Sequence, residues 1–185
     1  VLPTDTVYGL AADAFSPDAV GRLLAAKGRG RDLPVPVLVG SGRTLDGLAD
    51  SVSPVARELI DAFWPGALTL VVRAAPSLAW DLGETRGTVA VRMPLHPTAL
   101  AVLAETGPLA VSSANRTGHP PAPDAQQALE QLGTAAAVYL DAGAVGEPVP
   151  STILDLTGAR PRVLRAGAVP LARLLEVVPD VEGPA

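Results

Sequence analysis

Three dipeptides punctuate this chain in the same way: Ser16-Pro17, Ser53-Pro54 and His96-Pro97 each set a proline at the head of an apolar-periodic run. A proline in the first helical turn is pre-organised and lacks only an N–H that the turn leaves unused, and a serine before it can cap that turn. Val20, Leu23 and Leu24 form the stripe of the first run, Leu59, Ile60 and Phe63 that of the second, Leu100 and Leu103 that of the third. Gly28 and Gly107 stand where the first and third helices must stop, and Pro65 ends the second. Asp124, three residues before Gln127, opens a fourth helix running to Gly133. Between them residues 35–39, 68–72, 88–92, 109–112, 137–140, 151–156 and 162–165 read as short strands. Residues 1–9 read as an opening strand with Thr4, Thr6 and Tyr8 on one side, and a surface helix follows Pro170. Helices alternate with strands early and strands cluster late, which predicts an α/β domain built on one twisted sheet of mixed parallel and antiparallel strands.

The chain has 185 residues, enough for one well-buried domain, and at 48% hydrophobic and 18% charged it is too apolar for disorder. No apolar run approaches the roughly 20 residues of a membrane helix. The absence of cysteine excludes disulfides, thiolate nucleophiles and cysteine-type zinc sites. A net charge of −5 argues against a nonspecific nucleic-acid binder. The chain opens on Val1-Leu2-Pro3 without an initiator methionine, so a lost start is expected.

Charge gathers at Lys27-Gly28-Arg29-Gly30-Arg31, where the first helix gives out. Lys27 is the single lysine beside thirteen arginines. A compact ammonium at this position suits an anion; it equally suits the C-terminal end of a helix dipole. Neither a G-x-x-x-x-G-K-[ST] loop nor a complete dinucleotide fingerprint occurs. His96 and His119 both precede prolines and read as turn residues, Trp64 reads as a core anchor, and Asp5, Asp141 and Asp155 form no metal-binding run. Residues 88–92 put Val89 and Val91 on one face and Thr88, Ala90 and Arg92 on the other. Ser112, Ser113 and Asn115 end a strand, a place suited to ligand contact. Lys, Arg, Ser, Thr and Asn remain as the chemical inventory, that of phosphate recognition and charge stabilisation.

Pro3-Thr4-Asp5-Thr6-Val7-Tyr8-Gly9-Leu10, Lys27-Gly28-Arg29, Phe63-Trp64-Pro65-Gly66, Val91-Arg92-Met93-Pro94, Ser113-Ala114-Asn115, Ser151-Thr152 and Leu164-Arg165-Ala166-Gly167 form an ordered series spanning nearly the whole chain. In these blocks and their spacing the sequence resembles the YrdC-like threonylcarbamoyl-AMP synthases. The resemblance implies a single YrdC-like domain over residues 1–185, short of its N-terminal start and without a second domain, whose sheet bears a basic concave cavity. It implies synthesis of L-threonylcarbamoyl-AMP from L-threonine, bicarbonate or CO2 and ATP, with loss of pyrophosphate, for threonylcarbamoyladenosine modification of tRNA in the cytoplasm. Thr6, Arg92 and Ser151 would hold threonine. Lys27, Arg29, Thr88, Ser112, Ser113, Asn115 and Arg165 would hold ATP, with Lys27 and Arg29 acting on charge in catalysis. Mg2+ would arrive on ATP and not in a protein cage, and the product would pass to a tRNA threonylcarbamoyl transferase complex, with weak contact to tRNA and none to membrane. Leu33 stands where many members carry lysine or asparagine, and Leu38 where some carry a threonine-contacting histidine.

Other readings also suit the residues. A basic concave sheet can serve as an RNA-binding module, against which stand the net charge and an aromatic content of 3%. A carbamoyl-adenylate-forming domain of the hydrogenase-maturation type shares the chemistry, but the set of Arg92 and Ser151 favours an amino-acid substrate. A regulatory domain that binds nucleotide without turnover is the third.

Overall fold

Capping sets the helices where the dipeptides predict them in the computed structural model, which describes residues 1–146 and 148–184. Ser16 Oγ accepts from the Ala19 backbone N–H ahead of α1 (Pro17–Lys27), and Gly28, in the left-handed region at φ 63°, closes it. Ser53 caps α3 (Pro54–Phe63) through Ala56, and Asp124 caps α5 (Ala125–Leu132) through Gln127. His96 occupies the cap position of α4 (Pro97–Thr106) without a side-chain bond. A single turn, α2 (Leu45–Leu48), and the C-terminal α6 (Leu171–Val177) complete the α-helices among the described residues.

Seven strands form one sheet: β1 (Gly9–Asp13), β2 (Val37–Leu38), β3 (Leu68–Arg73), β4 (Thr88–Arg92), β5 (Leu109–Ser113), β6 (Thr152–Asp155) and β7 (Arg162–Arg165). Their spatial order is β1-β5-β2-β4-β3-β6-β7; β2 with β4 and β3 with β6 are parallel, the other pairs antiparallel. The mixed sheet is as the sequence predicts.

Two expected strands are absent. Thr4 Oγ1 accepts from the backbone N–H groups of Thr6 and Val7, which bends residues 4–7 into a turn, so only an isolated Leu2–Gly9 bridge precedes β1. Tyr8 leaves the face expected to be polar: fully buried, its hydroxyl donates to Gly143 O at 2.7 Å and accepts from Ala142 N at 3.1 Å. Residues 137–140 form no strand, and bond to the chain start through Leu140 N to Val1 O at 2.9 Å and Val1 N to Val138 O at 2.6 Å.

The period of two sorts the sheet into two faces. Val37, Leu68, Leu70, Val72, Val89, Val91, Ala110 and Leu154 point into the main core, with side chains of α1, α3, α5 and α6. Leu38, Leu109 and Val111 point the other way and pack with Ala99 and Leu103 of α4 in a smaller cluster. Trp64 anchors the main core, its indole N–H donating to Leu68 O at 2.7 Å. By the same alternation Thr69, Thr88, Arg92 and Ser151 belong to the face opposite the main core.

Candidate active site

Arg165 reaches that face through an irregularity. Val163 is buried in the main core, and strict alternation would send Arg165 in beside it. Between Ile153–Arg165 and Leu154–Val163 the register shifts by one residue, a bulge at Leu164 that sets Arg165 opposite Ile153. From there its Nε and Nη2 donate to the Ser151 carbonyl at 3.1 and 2.7 Å, and Nη2 also to Ser151 Oγ at 3.0 Å. Ser151 Oγ lies 2.8 Å from Thr69 Oγ1, both buried.

The buried Arg92 guanidinium is held on three sides. Nε donates to Gly66 O at 2.9 Å, Nη1 to Thr6 Oγ1 at 2.8 Å and Nη2 to Asp5 Oδ1 at 2.5 Å. Asp5 Oδ1 also accepts from Leu95 N at 2.9 Å. Five N–H groups belong to a guanidinium, so one remains on each terminal nitrogen.

Lys27 is not a solvated cation at a helix end. It is only 4% exposed, and Nζ donates to Ser113 O at 2.5 Å, Asn115 O at 2.5 Å and Asn115 Oδ1 at 2.9 Å. Burial, and secondarily Arg29, pushes its pKa down to about 8. Asn115 Nδ2 in turn donates to Arg116 O at 3.0 Å and His119 O at 2.6 Å, so one ammonium and one amide fold the whole turn after β5. Arg29 is the opposite case. Its Nη1 and Nη2 make long contacts to Ser112 Oγ at 3.4 Å and Pro34 O at 3.5 Å, and its buried Nε has no partner.

The cations form a row. Arg29 depresses the pKa values of Lys27 and Arg165, and Arg165 that of Arg92, in each case behind burial as the larger cause. Asp5 offsets part of this at Arg92, and Asp32 at Arg29. Guanidinium groups stay protonated in proteins, so the three arginines remain charged beside one another.

Of the ten expected residues, Lys27, Arg29, Ser112, Ser113 and Asn115 meet at one end of this row, and Thr6, Arg92, Ser151 and Arg165 at the other. Thr88 shares the Arg92 face, but its hydroxyl donates to Thr85 O at 2.8 Å. Leu38 lies in the α4 cluster, and Leu33 is 49% exposed. Two surface depressions, of about 420 and 400 Å3, lie by the β6–β7 hairpin and beside β1, and none of the ten residues lines either. Sequence reading marks Asp5 only as a carboxylate of the first block and gives Thr69 no role; their contacts with Arg92 and Ser151 bring both to the site.

The Sua5/YciO/YrdC family model, described as "Telomere recombination", matches residues 1–167. The chain is 64% identical over 178 residues to a Mycobacterium tuberculosis protein provisionally named a threonylcarbamoyl-AMP synthase, spanning 96% of this chain and 82% of that one. It is 39% identical over 179 residues to the Bacillus subtilis threonylcarbamoyl-AMP synthase, spanning 95% and 51%. The crystal structure of P. abyssi Sua5 complexed with L-threonine matches with a TM-score of 0.93 at 36% identity, covering 98% of this chain and 54% of that one. The chain thus spans about half the length of the last two.

Proposed function

Because this chain belongs to the Sua5/YciO/YrdC family, we propose that it joins L-threonine, bicarbonate or CO2 and ATP into L-threonylcarbamoyl-AMP with release of pyrophosphate, as a nucleotidyltransferase. The observation that carries this reading is the row Lys27, Arg29, Arg165, Arg92, in which the buried Arg29 Nε has no partner and Arg92 keeps one N–H unused on each terminal nitrogen. A triphosphate relieves such a row along its length, while a carboxylate suits the two terminal N–H groups left on Arg92.

In this reading threonine lies over Arg92, Thr6 and Ser151, and the nucleotide over Arg29, Arg165, Ser112, Ser113 and Asn115. Lys27 holds the Ser113–Asn115 turn and adds its charge from behind. The amine adds to CO2 and releases a proton to water, giving a carbamate whose oxygen attacks the α-phosphorus in line with departing pyrophosphate. No covalent enzyme nucleophile takes part; the side chains orient the reactants and stabilise the charge that grows on the phosphate oxygens. Mg2+ carried on ATP would supply Lewis-acid stabilisation of that charge. Among the described residues no three His, Asp or Glu side chains gather as a metal site. The product then passes to a tRNA threonylcarbamoyl transferase, in the cytoplasm. Among the described residues no helix is long and apolar enough to cross a membrane.

The test is pyrophosphate release from MgATP with each substrate omitted in turn. Release that requires both threonine and bicarbonate supports the reading, with serine poorer by roughly 10- to 200-fold for want of one methyl. Equal release without any amino acid would replace it with the carbamoyl-adenylate chemistry of the hydrogenase-maturation type or a plain ATPase.

A further inference from the structure

An amino acid brings a difficulty to a site made of cations. At neutral pH threonine carries an ammonium separated from its carboxylate by a single carbon, so anchoring the carboxylate on Arg92 brings a positive charge into a positive field. Lys27, Arg29, Arg165 and Arg92 all repel it. Two carboxylates bear on this row: Asp32, which acts on Arg29, and Asp5, which is bonded to Arg92 itself. Asp32 belongs to the nucleotide end. Among the described residues Asp5 is the carboxylate bonded to Arg92, and so the one set beside a ligand carboxylate held there.

Asp5 is also built to take a second ligand. Its Oδ1 accepts from both Arg92 Nη2 and Leu95 N, which fixes the carboxylate plane from two directions. Its Oδ2 has no partner among the described residues, and its side chain is 15% exposed, against 7% for Arg92. The result is a fixed acid with one oxygen open beside a fixed guanidinium with one N–H open on each terminal nitrogen, the complement of a zwitterion. Resting on the threonine reading above, we propose that Asp5 is the binding residue for the α-ammonium of the amino-acid substrate through Oδ2. The contact survives loss of a proton from the substrate nitrogen, because a neutral amine still has N–H groups to donate, so Asp5 goes on orienting the nitrogen as its lone pair turns to CO2.

The experiment titrates the full-length protein with L-threonine and with (2S,3R)-2,3-dihydroxybutanoate, which replaces the amino group by hydroxyl, in bicarbonate-free buffer with MgATP. The wild-type protein should prefer threonine by roughly 10- to 150-fold, the scale of one charge-assisted hydrogen bond. Asp5→Asn keeps an oxygen for Arg92 and Leu95 but loses the charge, and should bind the two ligands within about threefold of each other. If Asp5→Asn weakens both by the same factor and the preference stays, Asp5 only braces Arg92 and the proposal is overturned. A wild-type protein with no preference overturns it without recourse to a variant. A wild-type protein that binds neither ligand removes threonine as the substrate, a failure of the parent reading that the equal-binding outcome does not resemble.

Discussion

Lys27 Nζ sits 2.5 Å from the backbone oxygen and 2.9 Å from the side-chain oxygen of Asn115, 88 residues away in sequence. With Ser113 O at 2.5 Å these oxygens match the three protons of an ammonium. A slim cation is therefore required here, as the single lysine suggests, but its partners belong to the protein. Lys27→Arg should consequently cost stability as well as activity. A planar head cannot serve three convergent oxygens at a site 4% exposed, and leaving a buried acceptor unpaired costs about 1–3 kcal/mol. For a chain of this size that lowers Tm by roughly 2–4 °C per kcal/mol. A thermal melt beside steady-state turnover checks it: an unchanged Tm with lowered turnover would put Lys27 on the reacting phosphate instead.

The same residue sets a pH dependence. Lys27 titrates near 8 in the folded chain, below the ordinary lysine value of 10.5, because burial, then Arg29, disfavours its charge. Between those values the unfolded chain binds more protons than the folded one, so this group's contribution to stability rises with pH across the window and is flat below it. Nucleotide binding should run the other way, since a bound triphosphate favours the charged form and draws a proton in. Calorimetry in buffers of different ionisation heat should show proton uptake on ATP binding about one pH unit above the Lys27 midpoint, and almost none well below it. Uptake that is absent at the higher pH, or unchanged in Lys27→Met, would show that the lysine does not sense the nucleotide.

Much of this architecture is legible locally. Ser16, Ser53 and Asp124 cap the helices they precede, and Gly28 closes α1, because capping involves neighbours within a turn. The alternation of Val89 and Val91 likewise foretells which face of β4 is buried. The pattern Thr4, Thr6, Tyr8 misleads because a side chain can compete for the backbone: Thr4 Oγ1 takes two N–H groups that a strand would have paired elsewhere. Asp5 with Arg92 and Thr69 with Ser151 lie 87 and 82 residues apart, and no local spacing encodes such a pair. Arg165 stands with these because the bulge that turns it leaves no mark in the strand's own alternation.

Gly167 should tolerate no side chain. A Cβ there would lie 2.3 Å from Pro150 O and 2.6 Å from Ser151 O, both backbone atoms. Gly167→Ala must therefore push apart the segment that carries Ser151 and the one that carries Arg165, straining the Ala168 N to Pro150 O bond of 2.9 Å. Overpacking of this kind costs about 1–3 kcal/mol. The threonine affinity should fall with it, because Ser151 and Arg165 are bonded across the same contact. A melt and a threonine titration that both match wild type would count against this account of Ser151.

Arg92→Lys separates the two substrates. Lysine keeps the charge but offers one ammonium where the guanidinium serves Gly66 O, Thr6 Oγ1 and Asp5 Oδ1 from three nitrogens and keeps a further N–H on each terminal nitrogen. Two consequences follow at different scales. Unpaired groups among the three internal acceptors should destabilise the fold by about 1–3 kcal/mol. Loss of a parallel charge-assisted bond to the substrate carboxylate, worth about 1.5–3 kcal/mol, should weaken threonine by roughly 10- to 150-fold. ATP should be affected far less, because in the proposed arrangement its phosphates rest on Arg29 and Arg165 and not on Arg92. Titrating each ligand separately, at a temperature where the variant is fully folded, isolates the second effect from the first. A nucleotide affinity reduced by that factor with threonine binding intact would mean that the two ends of the row hold the opposite substrates.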